Sequence, residues 1–131
     1  QVGTLIFDEI DSGVGGAVAD TVGRLMQRLG RDRQVMAVTH LAQVAACAHQ
    51  HLVVAKAVHE GQTTSDIGEV RDDVRTTEIA RMLGGQITET SRAHAQAMLA
   101  TARAQEAQDA QDADTATPAA GKAPRRRKEA A

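Results

Sequence analysis

Asp8 and Glu9 are adjacent carboxylates that close the short apolar run Thr4-Leu5-Ile6-Phe7. So short a run, bounded by turn formers, cannot make a helix and reads as a buried strand. Two acids side by side at a strand end suit one chemistry in particular. Asp8 can hold Mg²⁺ through its water shell, and Glu9 can orient and deprotonate a water that attacks a terminal phosphate. Successive side chains of an extended chain point in different directions, so the two acids can take separate roles. This is the Walker B pattern. Taken alone, an Asp-Glu dipeptide after a strand is more often a solvated turn cap, and its neighbours change the balance.

The neighbours are set by the elements that follow. From Gly16 to Leu29, Val18, Val22, Leu25, Met26 and Leu29 recur at helical spacing and predict one apolar face, with Gly30 as the stop. Gln34 to Val38 predicts a second short strand. Strand, helix and strand in tight succession predict a parallel crossover. In open parallel sheets ligands gather at the carboxyl ends of strands, so Asp8 and Glu9 should lie beside Thr39 and His40. An imidazole there can donate a hydrogen bond to a γ-phosphate. A lone histidine is more often structural, but this one sits where the first motif requires it. Asp11-Ser12-Gly13-Val14-Gly15-Gly16 lies between the acids and the helix, where ATPases of this type carry a loop that crosses a dimer interface. Judged alone, it is as readily a flexible helix entry.

Further on, His51–Val58 and Thr63–Val70 predict two strands joined by the turn His59-Glu60-Gly61-Gln62. Residues 72–83 predict a helix with Val74, Ile79, Met82 and Leu83 as its apolar set, stopped by Gly84-Gly85. A last helix is expected from near Thr90 or Ser91. Beyond about Ala104 the composition turns to Ala, Gln, Asp and Thr and ends in Arg125-Arg126-Arg127-Lys128, so residues 105–131 are expected to be a disordered tail. Its basic run is a candidate for salt-sensitive phosphate contact, offset by Asp109, Asp112 and Asp114. No internal repeat is visible.

The 131 residues are 42% hydrophobic and 24% charged, ordinary for one modest folded domain. Phe7 is the sole aromatic among Phe, Trp and Tyr, which favours a core of Val, Leu, Ile, Met and Ala and argues against base stacking. A formal net charge of -2 gives no global reason to bind nucleic acid. Cys47 has no second cysteine to pair with, and no stretch approaches the roughly 20 apolar residues of a membrane span, so a reducing cytoplasm is the default. The chain opens at Gln1 directly on an apolar run and reads as a fragment of something longer.

The run Thr4 to Gly16 together with Val38-Thr39-His40-Leu41-Ala42-Gln43-Val44-Ala45 resembles the C-terminal end of the RecN family of SMC-like bacterial DNA repair ATPases. Glu78-Ile79-Ala80-Arg81-Met82-Leu83-Gly84-Gly85 and the Ala93-His94-Ala95 helix resemble that family's closing segment, so the likeness covers about residues 1–102. It implies an α/β fold, the C-terminal lobe (residues 1–104) of a P-loop head of ABC/SMC type. It also implies that two subunits sandwich ATP and Mg²⁺, with Asp8 at the metal through water, Glu9 as general base and His40 as γ-phosphate switch. Asp11, Ser12, Gly13 and Gly15 would form the crossing loop. The further implications are a homodimer through the head, an upstream part of the same chain, DNA as partner of the intact protein, and a bacterial, nucleoid-associated cytoplasmic setting for recombinational repair of double-strand breaks. Two positions depart from the pattern: Gly15 stands where ABC heads carry Asp, and Ala42 where a proline is expected. No G-x-x-x-x-G-K-[ST] loop or Ser-Gly-Gly signature occurs in the sequence, so the chain alone is expected to be inactive.

Two other readings compete. A dinucleotide site using Gly13-Val14-Gly15 would need its third glycine at Val18, and Asp8 and Glu9 would repel a pyrophosphate. A small metal-binding or structural module could use Cys47, His49 and His51 with His40 or His59, since thiolate and imidazoles suit zinc. Its spacing is loose.

Overall fold

The computed structural model describes residues 2–116. Thr4–Phe7 forms β1 and Gln34–Ala37 forms β2, paired in parallel with Phe7 opposite Ala37. The expected crossover is helix α1, Ala17–Leu29. Asp20 in its first turn and Arg28 in its last complement the helix dipole. Helix α2, Ala42–Ala46, follows β2 and was not evident from periodicity, because five residues show little more than one turn.

The predicted hairpin is present as β3, His51–His59, and β4, Gln62–Val70, antiparallel with His59 opposite Gln62. Its turn is tighter than expected. Glu60 (φ 50°) and Gly61 (φ 75°) are both left-handed, the two-residue geometry that matches strand twist. Helices α3, Asp72–Met82, and α4, Glu89–Thr115, complete the order. Thr88 opens α4 with a capping box: its hydroxyl accepts from the Ser91 N–H, and the Ser91 hydroxyl accepts from the Thr88 N–H.

Small residues let three helices meet closely. Ala42, Ala45 and Ala46 of α2, Ile79 and Ala80 of α3, and Ala95 and Leu99 of α4 form one buried cluster, with Met82, Leu83 and Met98 at its margin. Helix α1 joins through Gly23. A β-carbon at that position would lie 2.9 Å from Cys47 Sγ and 3.1 Å from the Gln43 carbonyl oxygen. Arg75 ties the group together by donating to the carbonyls of Ala45 (3.1 Å) and Ala48 (2.7 Å) just past α2.

Four expectations are corrected by this packing. The strand β1 is not buried, with Ile6 72% exposed, because among the described residues its sheet has two strands. The inward stripe of α1 is Ala19, Gly23 and Gln27, whereas Val18, Leu25 and Leu29 are exposed. Close approach to α2 selects the smallest side chains, and Gln27 meets α4 by donating to the Ala102 carbonyl. On α3, Val74 is exposed and Thr76 is buried beside Ile79 and Ala80. Finally, α4 runs past Ala104 to Thr115. Gln105–Asp109 and Gln108–Asp112 bonds support it along its own surface, and Arg31 and His49 anchor Glu106. The rest of the expected tail, including Arg125–Lys128, lies outside the described residues.

Candidate functional site

The end of the parallel pair builds the site. After Phe7 the chain must leave the sheet at once. The Val38 N–H donates to the Phe7 carbonyl at 3.0 Å, closing the ladder with Asp8 and Val38 just beyond it. Glu9 then turns the backbone, at φ 54°. A non-glycine residue held in the left-handed region costs of order 1 kcal/mol, and such residues cluster at functional sites. Two turn bonds follow, from Ser12 N–H to the Glu9 carbonyl (3.3 Å) and from Val14 N–H to the Asp11 carbonyl (3.1 Å). Gly13 (φ 74°) and Gly16 (φ 56°) complete the reversal into α1, where side chains would be strained.

Asp8 and Glu9 are exposed, as is His40, whose side chain keeps 78% of its accessible surface. Asp11 is the contrasting acid, with a side chain only 6% exposed. Its Oδ1 accepts from the Thr39 hydroxyl at 2.8 Å, and its Oδ2 accepts from the His40 N–H at 2.6 Å. The His40 ring Nδ1 also lies 2.9 Å from Oδ2. Thr39 Oγ1 in turn accepts from the Leu41 N–H at 3.0 Å.

The two strand ends therefore meet as expected, but the bonded link between them is Asp11 rather than Asp8 or Glu9. Asp11 was expected here as a crossing-loop residue. Its bond to His40 was not legible, because twenty-nine residues separate the two in sequence. Ser12, Gly13 and Gly15 are exposed, and space beside Gly13 and Gly15 is open.

The metal-module reading does not survive the geometry. Among the described residues no three His, Cys, Asp or Glu side chains converge on a point that could hold a metal ion. Cys47 is buried against Gly23, and burial pushes its thiol up, away from the thiolate a zinc site needs. His49 pairs with Glu106. His51 is partly buried, its Nδ1 has no partner among the described residues, and desolvation followed by the nearby Arg75 charge pushes its imidazole down.

Mg²⁺ that arrives with a nucleotide fits better than a free metal. Hard oxygen donors suit it, and it typically keeps several waters while taking one or two carboxylates plus phosphates. Asp8 at a strand end supplies such a donor. Among the described residues no helix is long and apolar enough to cross a membrane.

The fold resembles part of an SMC ATPase head. A solved structure from work on ATP-driven dimerization and DNA-stimulated activation of SMC ATPases superposes with a TM-score of 0.51 at 16% identity, over 66% of this chain and 51% of that one. Within that class the sequence is RecN-like. It is 47% identical over 97 residues to DNA repair protein RecN of Deinococcus radiodurans, 46% over 100 residues to that of Vibrio cholerae, and 48% over 104 residues to that of Streptomyces coelicolor. These matches take in 74%, 76% and 79% of this chain but 17%, 18% and 18% of the relatives, so the chain spans under a fifth of their length. No protein-family model matches it.

Proposed function

We propose that this chain carries the water-activating half of an ATP-hydrolysing head that serves recombinational repair of DNA double-strand breaks. One observation supports this above the others. In a RecN-like sequence, the parallel pairing of β1 and β2 brings the Asp8-Glu9 end and the Thr39-His40 end to one edge, bridged through Asp11.

Bound Mg²⁺ would neutralise charge developing on the phosphates. Asp8 would hold that ion through its waters. Glu9 orients the attacking water and accepts its proton. His40 contacts the terminal phosphate through the ring nitrogen that Asp11 leaves free. Asp11, Ser12, Gly13 and Gly15 form the loop facing a second copy, whose head completes the sandwich. A longer chain containing this segment supplies the lysine and backbone cradle that the sequence lacks. The setting is the bacterial cytoplasm, with DNA as partner of the intact protein.

The test is Mg²⁺-dependent ATP hydrolysis by the intact protein, with Glu9→Gln as the variant and this chain by itself as control. Expected are a loss of at least about a hundredfold with nucleotide binding retained, and no turnover by the isolated chain. Near-normal turnover in Glu9→Gln would remove Glu9 as general base.

A further inference from the structure

A carboxylate taken out of water is costly unless its oxygens are hydrogen bonded. Asp11 has been buried while Asp8 and Glu9, three and two residues before it, stay exposed. Its acceptor capacity is directed at one short segment: the Thr39 hydroxyl on Oδ1, the His40 N–H on Oδ2, and the His40 ring Nδ1 beside that same Oδ2. A carboxylate serving only as a turn cap would take backbone amides of its own turn. This one bonds the main chain of a distant residue and lies 2.9 Å from its ring nitrogen.

The consequence is chemical. An ionised carboxylate only accepts, so the ring nitrogen facing it must carry the proton. That leaves Nε2, on a ring otherwise 78% exposed, as the nitrogen presented outward. It donates to a phosphate oxygen when the ring carries both protons.

We propose that Asp11 is a positioning residue for His40: it fixes the ring plane and the Nδ1–H form, and it couples the loop between β1 and α1 to the residue that meets the phosphate. The second copy that presses on this loop would thereby act on His40. This rests on the reading of His40 as a phosphate contact.

The experiment uses the intact protein with ¹⁵N-labelled histidine and the variants Asp11→Asn, Thr39→Val, His40→Ala and Asp11→Asn with His40→Ala. The ring of His40 should carry hydrogen on Nδ1 in the parent and in Thr39→Val, which removes a different bond to the same carboxylate. In Asp11→Asn that preference should be lost, because an amide can donate to Nδ1. Turnover of Asp11→Asn should fall by between about tenfold and a hundredfold, the range seen when a residue that orients a functional histidine is removed, with a smaller change in KM for ATP. The double variant should be no slower than His40→Ala. Unchanged ring nitrogens in Asp11→Asn, or losses that multiply in the double variant, would overturn the positioning role. If the ring form changes while His40→Ala hydrolyses ATP normally, the positioning stands and the phosphate contact falls.

Discussion

The helical half and the strand-edge half of this molecule treat their apolar residues in opposite ways. Around α2, α3 and α4 the chain buries Ile79 and Leu99 among alanines. In the β1–α1–β2 unit Ile6, Val18, Leu25 and Met36 are exposed. Burial of apolar surface is the main favourable term in folding. The helical half therefore carries most of what stabilises this chain, and the strand edge is held in place chiefly by pairing and by the Asp11 bonds.

That contrast can be broken from either side. The largest effect belongs to the site. Glu9→Gln in the intact protein should slow ATP hydrolysis by at least about a hundredfold and leave the melting temperature nearly unchanged, because Glu9 is exposed. A marked fall in melting temperature would mean that Glu9 is structural. Next comes the core. Ile79 is fully buried, and Ile79→Ala should cost about 2–5 kcal/mol in denaturant unfolding; a loss below about 1 kcal/mol would show that the helices do not form one cooperative unit.

Gly23→Ala should cost about 1–3 kcal/mol, since the added methyl meets a backbone carbonyl that cannot swing aside. In an open helix the same change would be favourable, so a stabilised variant would mean that α1 and α2 are not in close contact. The pH dependence of stability should be gentler. Burial pushes the imidazole of His51 below its ordinary 6.5, so the unfolded chain binds its proton more readily and stability drops as pH falls below about 6.5. Melting curves between pH 7 and 5 should show this slope, and His51→Gln should flatten it. The smallest effect is at the strand edge: Ile6→Thr, at a position 72% exposed, should stay within about 0.5 kcal/mol. A larger loss would show that Ile6 is covered in solution.

The sequence alone determined the parallel pair, the crossover helix α1, the hairpin and the last two helices, though not α2, and it singled out Asp8, Glu9 and His40 as candidates. These rest on local signals, namely a short apolar run ending in acids, glycine stops and a turn that needs left-handed residues. Tertiary structure decided which face of α1 turns inward, because Ala19, Gly23 and Gln27 admit α2 and α4 where branched chains would not. It likewise decided how far α4 extends, since an Ala- and Gln-rich segment looks unstructured until Arg31 and His49 dock on it. The partner of Asp11 was also a tertiary matter. The sequence places Asp11 only in a glycine-rich loop, and the register of β1 against β2 brings it to Thr39 and His40, where burial makes those bonds necessary.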